Sequence, residues 1–309
     1  ASDTNWGTNG YARTSSNFVF ETDANYTFTF TYTDLAGNPV TYDSVYFTVD
    51  KPETDSPEGA VSLDREGSIW STIWRAITFN IFRNSSYEVT LDSEDGISGV
   101  DSIEYYKTPN PVSQNTDMTG LNWRNLGISG EKAARSGNFS VSPDEQFVVY
   151  EKITDYAGNI TYIYPTNGAV ADAAEPRITI TEANAGAASN GIYNEDVRLH
   201  ISVEDPVNGG TYSGIERIWY EVRSSGNVTN SLERELANNS DNRVQGYRTW
   251  SGDITIDAEQ FNSNDVRVQV HAVDFSGNQY DSEVTELKID VTEPTIEVAY
   301  DLNSPLNDR

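Results

Sequence analysis

A five-residue segment that returns at a near-constant interval constrains this chain more than any other feature. Asp34-Leu35-Ala36-Gly37-Asn38 reappears as Asp155-Tyr156-Ala157-Gly158-Asn159, and again as Asp274-Phe275-Ser276-Gly277-Asn278, about 120 residues further on each time. An alternating run leads into each copy: Tyr26, Phe28, Phe30, Tyr32; then Phe147, Val149, Glu151, Ile153; then Val266, Val268, Val270, Ala272. Period-2 alternation marks a strand with one buried face. Beyond each copy come an Asp and then a Pro: Asp50 and Pro52, Asp172 and Pro176, Asp290 and Pro294. Strand, tight turn, strand and proline-marked linker form the closing part of a β-sandwich domain. In the turn, Asp accepts hydrogen bonds from nearby backbone N–H groups and Gly supplies positive φ. Asp34, Gly37, Asn38, Asp155, Gly158, Asn159, Asp274, Gly277 and Asn278 are therefore assigned to turn structure.

A second block recurs upstream. Ser98-Gly99-Val100-Asp101-Ser102-Ile103-Glu104-Tyr105 parallels Ser213-Gly214-Ile215-Glu216-Arg217-Ile218-Trp219-Tyr220. Each follows a carboxylate-rich loop, which is preceded by an alternating strand: Tyr87, Val89, Leu91 in one copy and Leu199, Ile201, Val203 in the other. The expected fold is all-β, a linear array of tandem immunoglobulin-like β-sandwich domains, each with seven or so strands in roughly 120 residues. Residues 1–51 read as the C-terminal part of one repeat, 52–175 and 176–293 as complete repeats, and 294–309 as the start of another. Within the second, Trp70, Ile73, Trp74 and Ile77 fall at i, i+3, i+4 and i+7, which predicts a short helical insert near 70–82.

Composition narrows the function. Forty-eight acidic residues against 20 basic ones give a formal net charge of −28. Such a field opposes nucleic-acid and anionic-membrane partners. The absence of Cys excludes disulfide scaffolds, thiolate metal sites and cysteine nucleophiles. No 18-residue apolar run is present, so no membrane insertion is expected. Both histidines, His200 and His271, fall within alternating strands and away from any hydrolase or metalloprotease signature. No catalytic residue is assigned, and the chain reads as a non-enzyme.

The combination Ser-Gly-Val/Ile with Glu-Tyr-Tyr, then Asp-x-Ala/Ser-Gly-Asn, then Ile289-Asp290-Val291-Thr292-Glu293-Pro294 resembles the Ig-like repeats of large surface proteins of Firmicutes, gut Clostridia in particular. The resemblance covers nearly the whole chain. It implies an extracellular location, on the bacterial cell surface or secreted. It also implies a stalk or adhesin that projects or carries binding to host protein or glycan. The same repeats serve as specific ligand-binding modules and as accessory regions of larger secreted enzymes, and both readings stand as alternatives.

Two groups of residues are candidates for binding. Asp92, Glu94 and Asp95 cluster in one loop and Glu204 and Asp205 in its counterpart; such loops are ordinarily solvated and no cofactor is required, but as hard oxygen donors they are the candidate ligands for Ca²⁺, and a joint could add Asp172 or Asp290. Trp70, Trp74, Tyr106 and Trp123 are candidates for an aromatic platform facing a host glycoprotein, glycan or immunoglobulin. The remaining expected partners are neighbouring repeats of the same chain. Alternation through Ile103 and Tyr105 places Tyr106 toward solvent, and leaves either Trp219 or Tyr220 exposed.

Overall fold

The structure, a computed structural model, describes residues 18–299 apart from 64–65, 69, 72–75, 185–187, 226–228 and 244–245. Among the described residues, secondary structure is β throughout, save one 3₁₀ turn at Met118–Gly120. The chain divides into two compact units, residues 1–173 with 209–211, and residues 174–208 with 212–309.

The first unit opens with two small ladders. Ala24–Phe28 pairs antiparallel with Val45–Val49, and Thr31–Thr33 with Pro39–Thr41 across the Asp34–Asn38 turn. Tyr26 and Phe47 stack at 5.4 Å, with Phe20 against both rings. Phe30, Val45 and Tyr46 stay exposed.

A β-sandwich follows in the same unit. One sheet runs Ser129–Glu131, Ala134–Val141, Tyr87–Glu94, Glu58–Leu63, Glu66–Ser68. The other runs Arg124–Asn125, Val100–Thr108, Glu145–Asp155, Ile160–Pro165, Trp70–Ser71. Asn167–Ala171 extends it by pairing antiparallel with the start of Glu145–Asp155 and parallel with Thr78–Arg83. Alternate residues of the facing sheets fill the space between them: Val61, Leu63, Tyr87, Val89 and Leu91 from one side, Ile103, Phe147, Val149, Ile153 and Ile163 from the other. Burying each such side chain contributes about 1.5–3 kcal/mol, which substitutes for the missing disulfide.

Among the described residues of 70–82, the span of the expected helix, none is helical. Trp70–Ser71 and Thr78–Arg83 are strands, with residues 72–75 outside the described ones. Thr78, Ile81 and the two phenylalanines favour extended backbone, and Asn167–Ala171 offers them a ladder. At 78–83 a tertiary partner thus sets the backbone; Ile73 and Trp74 of the helical spacing lie outside the described residues.

The second unit repeats the plan. Arg177–Glu182, Val197–Glu204 and Thr249–Ile256 form one sheet. The other holds Thr229–Asn238, Ile215–Ser225, Ser263–Asp274 and Gln279–Asp281, with Thr285–Ile289 also paired to Ser263–Asp274. Leu199, Ile201 and Val203 meet Ile218, Tyr220, Val222, Val266, Val268 and Val270 in the core. Of the pair left open by alternation, Tyr220 is buried and Trp219 lies on the outer face, stacked on His271 at 5.0 Å. Residues 294–299 form no strand, and Ile296 and Val298 are exposed.

Candidate functional site

The three recurring turns are built alike, atom for atom. The backbone N–H of each Asp donates to the carbonyl of its Asn at 3.0–3.1 Å, and the Gly N–H donates back to the Asp carbonyl at 3.1–3.2 Å. The Asn backbone N–H donates to Asp Oδ1 at 2.8, 2.8 and 2.9 Å in chain order. The Asn side-chain amide donates to Asp Oδ2 at 2.9, 2.7 and 2.7 Å. Gly37, Gly158 and Gly277 take φ of 90°, 93° and 88°. A Cβ is disfavoured at that dihedral, which fixes Gly at this position. Asp155 and Asp274 are fully buried, whereas Asp34 is partly exposed.

The Ser-Gly block docks onto this turn. Tyr156 N–H donates to the Gly99 carbonyl at 3.0 Å, and Phe275 N–H to the Gly214 carbonyl at 2.9 Å. Gly99 N–H in turn donates to Asp95 Oδ1, and Gly214 N–H to Asp205 Oδ2. Gly99 and Gly214 also have positive φ, and a Cβ on either would strike a backbone carbonyl, Lys132 O at 2.7 Å or Gly246 O at 2.1 Å. Two motifs far apart in sequence thus meet at one end of each sandwich.

In the first unit this meeting gathers carboxylates. Asp50, Asp95 and Asp155 each place an oxygen within 4.8 Å of the others. Asp50 Oδ2 accepts from Ser98 N–H at 3.0 Å, and Asn159 Nδ2 also reaches the Asp50 carbonyl at 3.4 Å. Asp95 is 4% exposed; its Oδ2 and the Oδ1 of Asp50 are buried and have no partner among the described residues. Burial, followed by repulsion from Asp95, Asp50, Asp23 and Asp155, raises the carboxyl of Asp55 above its ordinary range. In the second unit Asp205 and Asp274, both fully buried, likewise bring oxygens within 4.8 Å.

Of the five acids expected to cluster, only Asp95 and Asp205 point inward. Asp92 and Glu94 are exposed because they alternate with the buried Leu91 and Ser93 along the strand Tyr87–Glu94, and Asp95 follows it, buried. Glu204 pairs with Arg248 at 2.5 Å. Asp50 was legible only as a linker residue and Asp155 only as a turn-former. The signal that joins them is their common recurrence, since each repeated Asp precedes a fixed structural neighbour.

The aromatic candidates behave differently. Tyr106 does leave the main core, but it is covered. It lies 6.3 Å from Trp123 and 6.2 Å from Tyr150, within a second cluster that includes Met118 and Tyr162. Trp123 Nε1 donates to the Met118 carbonyl at 2.8 Å, and both Tyr106 and Trp123 are half-buried. Trp70 contributes its backbone to the pairing with Pro165, and Trp74 lies outside the described residues.

Three further titratable side chains have polar partners. His200 faces out and pairs with Asp253 at 2.6 Å, and His271 Nδ1 pairs with Asp281 at 2.7 Å. Glu151 is wholly buried in the sandwich core, where Ser93 Oγ donates to its Oε1 at 2.8 Å and Gly59 leaves room for its carboxylate. Burial pushes the Glu151 carboxyl up to about 8.

No family model matches the chain, and no curated protein matches it. Among solved structures it is similar to the fibronectin(III)-like modules of Clostridium thermocellum CbhA, at 9% identity over 77% of this chain and 100% of that one, with a TM-score of 0.30. A DUF3823 family protein from Bacteroides ovatus is similar at 13% identity over 63% and 93%, with a TM-score of 0.23. Escherichia coli alpha-2-macroglobulin activated by porcine elastase is similar at 9% identity over 84% and 25%, with a TM-score of 0.24.

Proposed function

We propose that this chain is a non-catalytic region of tandem Ig-like repeats that acts at the bacterial surface as a stalk or adhesin. The supporting observation is what the repeated residues do. In all three copies the Asp, Gly and Asn of the turn are committed to hydrogen bonds that hold the chain reversal, and in the second and third the Ser-Gly block is committed to docking on it. Residues that recur for architecture describe a module whose use lies in being repeated. The acidic composition fits this use, since like-charged surfaces stay soluble and do not stick to one another.

Protease shaving of intact cells tests the location. The expected outcome is release of peptides from this chain without cell lysis; recovery only from the cytoplasmic fraction would sink the proposal. Arrays of host glycans, mucins and immunoglobulins test the binding role. Among the described residues the outer-face cluster of Tyr106 and Trp123 occurs in the second repeat alone, and a hit that Trp123→Ala abolishes while circular dichroism is unchanged would move the reading from stalk to specific binding module.

A further inference from the structure

We propose that Asp50, Asp95 and Asp155 form a binding site for a Ca²⁺ ion, where the linker after the first turn-bearing segment meets the sandwich that follows. Three features carry this, and none depends on the surface role proposed above. The first is geometry. Ca²⁺ takes oxygen ligands at about 2.3–2.6 Å, so oxygens sharing one ion stand within roughly 5 Å of each other. The three aspartates already meet that condition, with an oxygen from each inside 4.8 Å of the other two.

The second is the state of those oxygens. Each carboxylate is aimed by hydrogen bonds from the loop and turn. Asp50 Oδ2 is held by Ser98 N–H, Asp95 Oδ1 by Gly99 N–H, and Asp155 by the backbone and side chain of Asn159. This leaves the buried Oδ1 of Asp50 and Oδ2 of Asp95 without a donor. An uncompensated buried carboxylate oxygen costs several kcal/mol, and a cation held between the three removes that penalty for Asp50 and Asp95 together. Among the described residues, no Lys or Arg forms an ion pair with any of the three.

The third is ligand type. The donors are carboxylates with no imidazole or thiolate among them, which selects a hard cation over zinc or copper.

Equilibrium dialysis of the full chain against radioactive Ca²⁺ tests the site. Asp95→Asn keeps an oxygen for Gly99 N–H but replaces the unpartnered one, and is expected to lose one bound ion per chain. Asp92→Asn, on the exposed side of the strand that ends just before Asp95, is expected to keep the full complement. Circular dichroism establishes that each variant is folded. Should Asp95→Asn fail to fold, Asp50→Asn carries the same expectation. Absence of saturable binding to the wild-type chain at millimolar Ca²⁺ would overturn the proposal, as would full binding by folded Asp95→Asn, or by Asp50→Asn where it stands in.

Discussion

Glu151 shows how one residue can set a pH response. Four residues before the motif Asp, the second repeat carries Glu151 where the third carries Val270, and both face the core. Burial raises the folded-state carboxyl from 4.5 to about 8. Between those values the folded state keeps a proton that the unfolded chain has released. Stability therefore falls as pH rises through that window, and levels off above it. Glu151→Gln removes the linkage. Its stability advantage over the wild type is expected to grow by on the order of 3 kcal/mol from pH 4.5 to 7, read by urea denaturation at each pH. A flat difference across the range would contradict the buried, protonated assignment.

At the scale of the element, the turn and its docked loop make distinct predictions. Gly214→Ala places a Cβ at positive φ and 2.1 Å from a backbone carbonyl. It is expected to cost about 2–4 kcal/mol in chemical denaturation. Asp274→Ala removes two acceptor oxygens from a buried turn and is expected to cost about 1–3 kcal/mol, whereas Asp34→Ala, in the same motif at the surface, is expected to leave the thermal midpoint nearly unchanged. The elements differ in the same way in how far they could be read. Alternation placed Val89, Leu91, Leu199 and Ile201 in cores because strand parity is local and leaves a pattern. The turns were legible from Asp and Gly, though the Asn amide's bond to Asp Oδ2 was not, because it depends on a side-chain rotamer. The strand at Thr78–Arg83 was hidden because its partner lies far along the chain. Asp50 and Asp95 meet for a reason equally invisible to local pattern: the linker is drawn onto the sandwich by Ser98 and Asn159.

For the whole molecule, the charge of −28 is the dominant long-range term. Self-repulsion of so many carboxylates weakens the compact state, and at 0.1 M salt it is screened beyond about 10 Å. Raising NaCl from roughly 10 to 150 mM is therefore expected to raise the thermal midpoint. A falling midpoint would mean that ion pairs such as Lys107–Glu145 and Lys152–Glu104 outweigh repulsion. The two sandwiches also differ in one connection that spans each of them. In the second repeat, Asn167–Ala171 lies parallel to Thr78–Arg83 over five residue pairs. In the third, the parallel contact among the described residues is the isolated bridge Tyr193–Ile289, with Tyr193 N–H donating to the Lys288 carbonyl and Asp290 N–H to the Tyr193 carbonyl. Tension applied to the two ends of a sandwich drags parallel strands lengthwise past each other, so the bonds between them give way together rather than one by one. Under a steady pull the third repeat is therefore expected to yield before the second.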